Sequence, residues 1–294
     1  MTGKSNKKRA AVLMMAPFCL LFTLFILIPI LASAGLSFTY FNMWNLPRFI
    51  GLENYRYMIA DDTVFKTAII NTAVFAFITG PVSYFFSLIF AWMINDLRPK
   101  LRTFLTFLFY APTLSGSVFF IWLYLFADDA YGFVNNTLMR LGMNEPIMWL
   151  SDPRYNKLVV IVVIIWMGFS TGFLSFIAGL QSVNRDYYEQ GAIDGIRNRW
   201  QELWYITLPQ MVPHMGFAWV MTVSASLAIG YQNMALTGFP STDYSTHTIL
   251  LHIIDYGSQR FEMGYASALA LVLLGAMVAA MNLGNKLFAR IGKE

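Results

Sequence analysis

The chain has 294 residues, 57% of them hydrophobic and only 12% charged, with a mean hydropathy of +0.54. That composition excludes an ordinary soluble domain. The net charge of +4 reflects basic residues sorted to one membrane face, so nucleic-acid binding is not indicated, and a lone cysteine, Cys19, excludes a disulfide framework and a thiolate metal site.

No Asp, Glu, Lys or Arg occurs in Ala10–Leu36, Thr67–Ile94, Thr103–Ala127, Leu158–Asn184, Leu203–Thr242 or Met263–Asn285. A helix needs about 20 apolar residues to cross a bilayer core, so each stretch supplies one span. The sequence therefore predicts an all-α polytopic membrane protein. It forms a single transmembrane domain over 1–294, with spans at about 10–36, 67–94, 103–127, 158–184, 211–236 and 263–285. The first stretch resembles a secretory signal in its basic start, but its apolar run is too long and Pro29 interrupts it. A retained first helix is the expectation. Pro17, Pro29, Pro81 and Pro112 lie inside apolar stretches. Neighbouring helices can satisfy the carbonyls that such prolines free, so ordinary kinks are expected.

Thirteen of the 20 basic residues lie in the N-terminal tail (Lys4, Lys7, Lys8, Arg9), 95–102, 182–210 and the C-terminal tail (Lys286, Arg290, Lys293). The opposite face carries ten of the 16 acidic residues, including Asp61-Asp62 and Asp128-Asp129. The positive-inside rule puts both termini and the 182–210 segment in the cytoplasm. The outer loops 37–66 and 128–157 carry Tyr40, Trp44, Tyr55 and Trp149, a pattern typical of interfacial anchors. They are too small to fold as a receptor, so solute capture outside requires another protein.

Between the fourth and fifth stretches lies the polar segment SVNRDYYEQGAIDGIRNRWQELWYITLPQM, 182–211. Asn184 or Asp186 can cap a helix running through Tyr187, Tyr188, Glu189, Ala192 and Ile193. Tyr188, Ala192 and, more loosely, Gly195 are spaced to share a face, leaving Glu189 and Asp194 on others. Gly195 can end the helix in the left-handed conformation that a C-cap favours. Leu208-Pro209 is then expected to break the chain before the fifth span. An amphipathic helix lying on lipid headgroups is the plainer alternative.

The order Glu189, Gly195, Ile206-x-Leu208-Pro209 resembles the cytoplasmic coupling loop, the EAA loop, of permease subunits in bacterial ATP-driven importers. FIGLENYRYM at 49–58, FYAPTLSG at 109–116, IWMGFSTGFLSFIAGLQSV at 165–183 and FEMGYASALA at 261–270 extend the likeness to the binding-protein-dependent carbohydrate importers, the maltose and glycerol-3-phosphate permeases. The sequence departs from the family's Glu-Ala-Ala with Gln190-Gly191. It also has ten residues between Gly195 and Ile206, where the family usually has nine. The resemblance implies a type I importer permease fold, forming half of a translocation pore in the bacterial inner membrane and working by alternating access. It implies a second homologous permease subunit, two copies of an ATPase and an extracytoplasmic solute-binding protein as partners. ATP and magnesium would be bound by the ATPase, and this chain would hold no cofactor. Tyr188, Glu189, Ala192, Asp194, Gly195, Ile206, Leu208 and Pro209 would carry the ATPase coupling.

Uncharged spans suit a sugar, which needs aromatic faces and neutral hydrogen-bonding groups. Candidates for the pathway are Ser115, Ser117 and Trp122 in the third span, Ser170 and Thr171 in the fourth, and Tyr231, Gln232 and Asn233 towards the outer end of the fifth. Two rival functions remain. A stand-alone secondary transporter or channel lacks an ionisable residue in any span for ion coupling. An intramembrane serine hydrolase could use Gly168-Phe169-Ser170-Thr171-Gly172, formally a G-x-S-x-G motif. That motif needs a strand-to-helix turn, whereas here it falls mid-span, and no span centre supplies a histidine. Gly3-Lys4-Ser5 lacks the rest of a phosphate loop.

Overall fold

The computed structural model describes residues 13–115 and 118–291. Ser117, Gly3-Lys4-Ser5 and the basic residues of the N-terminal tail lie outside them. Described in chain order, α1 (Leu13–Leu36) leads to a short antiparallel ribbon, β1 (Thr39–Tyr40) with β2 (Arg48–Phe49), and then α2 (Glu53–Ala60). Next come α3 (Thr63–Asn95), α4 (Pro99–Leu114), α5 (Phe119–Leu125), α6 (Phe133–Arg140), α7 (Asn156–Met167), α8 (Thr171–Ser182) and α9 (Arg185–Ile193). A connector follows, made of α10 (Arg199–Glu202), a π-helical turn Leu203–Thr207 and α11 (Leu208–Gln210). The chain closes with α12 (Val212–Leu227), α13 (Tyr231–Thr237), α14 (Ile249–Ile254) and α15 (Met263–Ile291).

Among the described residues, four stretches are long and apolar enough to cross a membrane: 13–36, 63–95, 156–182 (with a short break) and 263–286. The pairs α4 with α5 and α12 with α13 pass as broken spans, the second bent by 43°, which brings the number to six. Three of the expected spans are not continuous helices: the third is divided into α4 and α5, and the fourth and fifth are also broken. The fifth is interrupted at 228–230, where Gly230 comes so close to Leu250 that a Cβ would stand 3.0 Å from its Cδ2. The fourth loses its helix between Met167 and Thr171, so the Gly168–Gly172 motif sits at a helix break instead of within a continuous span. By contrast, α3 runs through Pro81 and α4 through Pro112 without interruption.

The chain divides into two compact units, 1–62 with 252–273 and 63–251 with 274–294. In the first, no residue of α1 is buried, and its apolar surface suits a lipid environment. The Asn54 amide donates to the carbonyls of Ser37 and Thr39, tying the ribbon to α2. Asp62, only 4% exposed, takes the Tyr265 hydroxyl at 2.7 Å and faces the equally buried His252 at 2.8 Å. His252 is thus a buried partner of this carboxylate, outside the stretches read as spans. Burial, and then the hydrogen bond with Tyr57, push the nearby Tyr256 hydroxyl well above the usual phenol range, so it stays neutral.

The second unit is built on α3, α8 and α12. Tyr84, Leu88, Ala91 and Ile94 recur at helical spacing on α3 and meet Phe173, Phe176, Leu180, Met211, Met215 and Ala218. Lipid tails are as apolar as these side chains, so close packing and interhelical hydrogen bonds hold the bundle together. Small residues permit that approach. A Cβ on Gly172 would lie 2.9 Å from Thr222 Oγ1, one on Gly80 3.1 Å from Ser226 Oγ, and one on Gly168 would overlap Ser83.

The buried loop before α14 is held by side chains from three directions. The Asn71 amide donates to Tyr244 and His247 carbonyls, Asn156 to Ser245 Oγ, and Asn233 to the Thr246 carbonyl. The segment 127–156 is similarly organised around Asn135. Its carboxamide binds the Ala127 and Ile147 carbonyls, and its oxygen accepts from Trp149 Nε1.

Overpacking at these crossings should cost about 1–3 kcal/mol. Gly172→Val is therefore expected to lower the thermal midpoint of the detergent-solubilised protein, with partial recovery on adding Thr222→Ala. Gly216→Val, where nothing lies within 4 Å of the new Cβ, should change it little.

Candidate functional site

The polar segment folds as a short helix locked onto a second one. Asn184 caps α9 by accepting from the Asp186 amide, so Asn184 is the cap and Asp186 lies in the first turn. At the other end Gly195 has φ +95°, as expected of a C-cap glycine. The Ile196 amide reaches back to the Gly191 carbonyl at 2.9 Å and the Gly195 amide to that of Ala192, the hydrogen-bond pair of a Schellman motif. Asn198 caps the connector by accepting from the Gln201 amide.

The two faces of α9 differ. Tyr188 points back, its hydroxyl 2.9 Å from Thr207 Oγ1. One turn on, Gly191 is buried, and a Cβ there would stand 2.6 Å from Ile206 Cδ1 and 3.0 Å from Ile196 Cδ1. Glu189, Ala192, Asp194 and Gly195 are exposed, and Ile193 is 85% exposed. The shared face expected of Tyr188 and Ala192 is thus divided: Tyr188 anchors the helix and Ala192 lies on its free surface.

Leu208-Pro209 does not break the chain as expected. Helical backbone runs from Arg199 through Gln210 and turns only at Met211. The π-helical turn explains this. Its hydrogen bonds skip one residue more than those of an α-helix. The connector's additional residue is thereby absorbed while Leu203, Ile206 and Thr207 stay buried. Leu208 is half-buried and Pro209 exposed. At the other end, the Arg199 guanidinium pairs with Asp96 and lies 5.2 Å from the centre of the Trp92 ring, which joins the connector to the end of α3. A cleft of about 860 Å³ opens here, with Arg98, Arg102, Arg185, Glu189 and Arg199 on its walls.

A smaller cavity of about 220 Å³ lies among α3, the end of α7 and α12, beside the helix break, with Thr113 of α4 and Gln232 of α13 also on its wall. Unwound backbone at membrane depth is tolerated where it is buried in protein or lines a cavity, and both Gly168 and Ser170 line this one. Its polar groups are Thr79, Ser83, Thr113, Ser170, Thr222, Ser226 and Gln232, with no charged side chain on the wall.

Of the expected pathway residues, the structure brings Ser170 and Gln232 together here. Asn233 is fully buried and bound to the Thr246 carbonyl, Tyr231 is 60% exposed, and Thr171 is also exposed. Ser115 caps α4, and Trp122 stacks on Phe126 with ring centres 5.9 Å apart. Sequence reasoning missed Gly191 and the hydroxyls of α3 and α12. Thr79 with Ser83 and Thr222 with Ser226 are both four apart, so each pair marks one polar helix face in an apolar span.

A membrane bundle with a projecting helix clamped on a connector and a neutral intramembrane cavity defines a transport component. Residues 83–292 match the family described as "Binding-protein-dependent transport system inner membrane component", and the chain belongs to it. Its relatives include the "Lactose transport system permease protein LacF" of Rhizobium radiobacter, 32% identical over 96% of this chain and 95% of the relative. Another is the "Probable ABC transporter permease protein YesP" of Bacillus subtilis, 31% identical over 88% and 84%. The fold matches a chain of the "bacterial alginate ABC transporter in complex with alginate pentasaccharide-bound periplasmic protein", with a TM-score of 0.79, 22% identity and coverage of 100% and 99%. It is the type I importer permease fold. The chain is a multi-pass permease of the inner membrane and a transport subunit, not an enzyme.

The Gly191 contact meets only flexible side-chain ends, so it discriminates by size. Gly191→Ala should retain most uptake, because Ile206 can turn aside. Gly191→Leu should abolish coupled uptake at normal membrane abundance, and adding Ile206→Ala should restore part of it in vesicle transport assays.

Proposed function

We propose that this chain forms half of the translocation pore of an ATP-driven importer and passes a sugar or oligosaccharide delivered by an extracytoplasmic binding protein. The observation that carries this reading is α9, a short helix with one face locked to the connector and the other, Ala192 and Ile193 with Glu189 beside them, left free. A helix so clamped moves as a rigid body, and that is what transmits a distant closure to the spans. Its occupant would be a groove on a cytoplasmic ATPase. Ile193 would fill an apolar pocket, and Glu189 would pair with a basic group. The excess of Lys and Arg on this face supports a cytoplasmic position for it and for both termini.

The cavity supports the solute class. Hydroxyls and one carboxamide offer neutral donors and acceptors, which suit the hydroxyl groups of a sugar. The relatives named for lactose and for sulfoquinovosyl glycerol transport point the same way. A second permease subunit would complete the pathway, and ATP with magnesium would be held by two ATPase subunits. In this arrangement the chain's own groups bind and orient: Ser170 and Gln232 hold the solute where α8 is unwound, and α9 signals when the site turns over.

The test uses the complex assembled with its ATPase, second permease and binding protein in vesicles. Over a panel of sugars, at least one should stimulate ATP hydrolysis and be taken up. Gly195→Val places a β-branched residue at φ +95°, a conformation that costs roughly 1–2 kcal/mol. It should leave membrane levels near normal while uptake per ATP hydrolysed falls. Uptake at the parental ratio would mean that the loop is not the transmitting element.

A further inference from the structure

The connector has two apolar faces, one buried inside the unit and one largely exposed, where Trp200 alone has a ring partner, Trp92, among the described residues. Leu203, Ile206 and Thr207 are at most 8% exposed, whereas Trp200, Trp204 and Tyr205 are 59%, 65% and 73% exposed. In an α-helix successive residues are about 100° apart. The wider π turn narrows that angle, keeping Trp204 and Tyr205 side by side, opposite Ile206 and Thr207.

The depth of this face is set at both ends. Trp200 packs against Trp92 with ring centres 5.0 Å apart, and Trp92 belongs to the last turn of α3, where a span leaves the apolar layer. Gln210, the last residue of the connector, lies two positions before Val212, the start of α12. A helix pinned at both ends to the limits of spans runs along the membrane surface. Indole and phenol rings are amphipathic and favour the headgroup layer. Arg197, just before the connector, adds attraction for lipid phosphates.

We propose that Trp204 and Tyr205, with Trp200, seat the connector in the lipid headgroup layer and thereby fix the height at which α9 is presented. The same helix then reads two surfaces, lipid on its aromatic face and α9 on its Ile206 face. The consequence for coupling rests on the function proposed above; the location of the aromatic face does not.

The experiment places a spin label at W204C or Y205C in a Cys19→Ser background, in the assembled complex in nanodiscs of phosphatidylethanolamine and phosphatidylglycerol. Relaxation by dissolved oxygen is compared with that by a water-soluble nickel chelate, with N198C as the reference. The expected result is an oxygen-to-nickel ratio several-fold above that at position 198. Strong relaxation by nickel would place the face in water, and protection from both reagents would place it under a protein partner; either overturns the proposal. In a second arm, Trp204→Tyr should keep the parental uptake per ATP and Trp204→Glu should lower it at unchanged complex yield. A normal label depth with unchanged coupling in Trp204→Glu would retain the lipid contact and reject its control of α9.

Discussion

Backbone that leaves the helical state inside an apolar layer must find its hydrogen-bond partners within the protein, and this constraint shapes the whole chain. At the break after α12, the Ile229 carbonyl takes the Thr248 hydroxyl at 2.6 Å. The loop before α14 is satisfied by Asn71, Asn156 and Asn233. The break between α7 and α8 is closed locally, with the Gly168 amide bonded to the Ile165 carbonyl and the Ser170 amide to that of Gly168, and its remaining surface is a cavity wall. Gly168, Gly172 and Gly80 belong to the same logic. Their missing side chains let hydroxyls of facing helices approach closely enough to line the space between them.

The 184–195 segment follows a different rule, since most of its residues are exposed. There α9 is too short to be stable alone. Its caps at Asn184 and Gly195 and its seat on Ile206 and Thr207 hold it in one orientation. The Arg199–Asp96 pair is about half exposed and contributes little to stability. Its value is geometric, since it sets where the connector begins relative to α3.

The apolar helices and the short helix capped by Asn184 were legible in the sequence because both depend on local rules. Charge-free runs mark spans, and an Asn followed eleven residues later by Gly marks the two ends of α9. The helix breaks were not legible, because glycine and serine are tolerated inside membrane helices and only the facing residues decide whether the helix continues. The inward turn of Tyr188 was hidden for a similar reason. Helical spacing places it near Ala192, but its partner Thr207 closes a π turn whose register the sequence does not display. Ser170 and Gln232 were named as separate candidates in two spans; that they line one cavity with hydroxyls of α3 and α12 depends on packing that the sequence does not display.

The central claim is that the free face of α9, and no other part of the 182–210 segment, bears on the ATPase. Photocrosslinking from cysteines placed singly at positions 192, 193 and 204 in a Cys19→Ser background, within the assembled complex, tests it most directly. The account predicts adducts with the ATPase from 192 and 193 and none from 204. Adducts from 204 alone, or equal yields from all three positions, would contradict it.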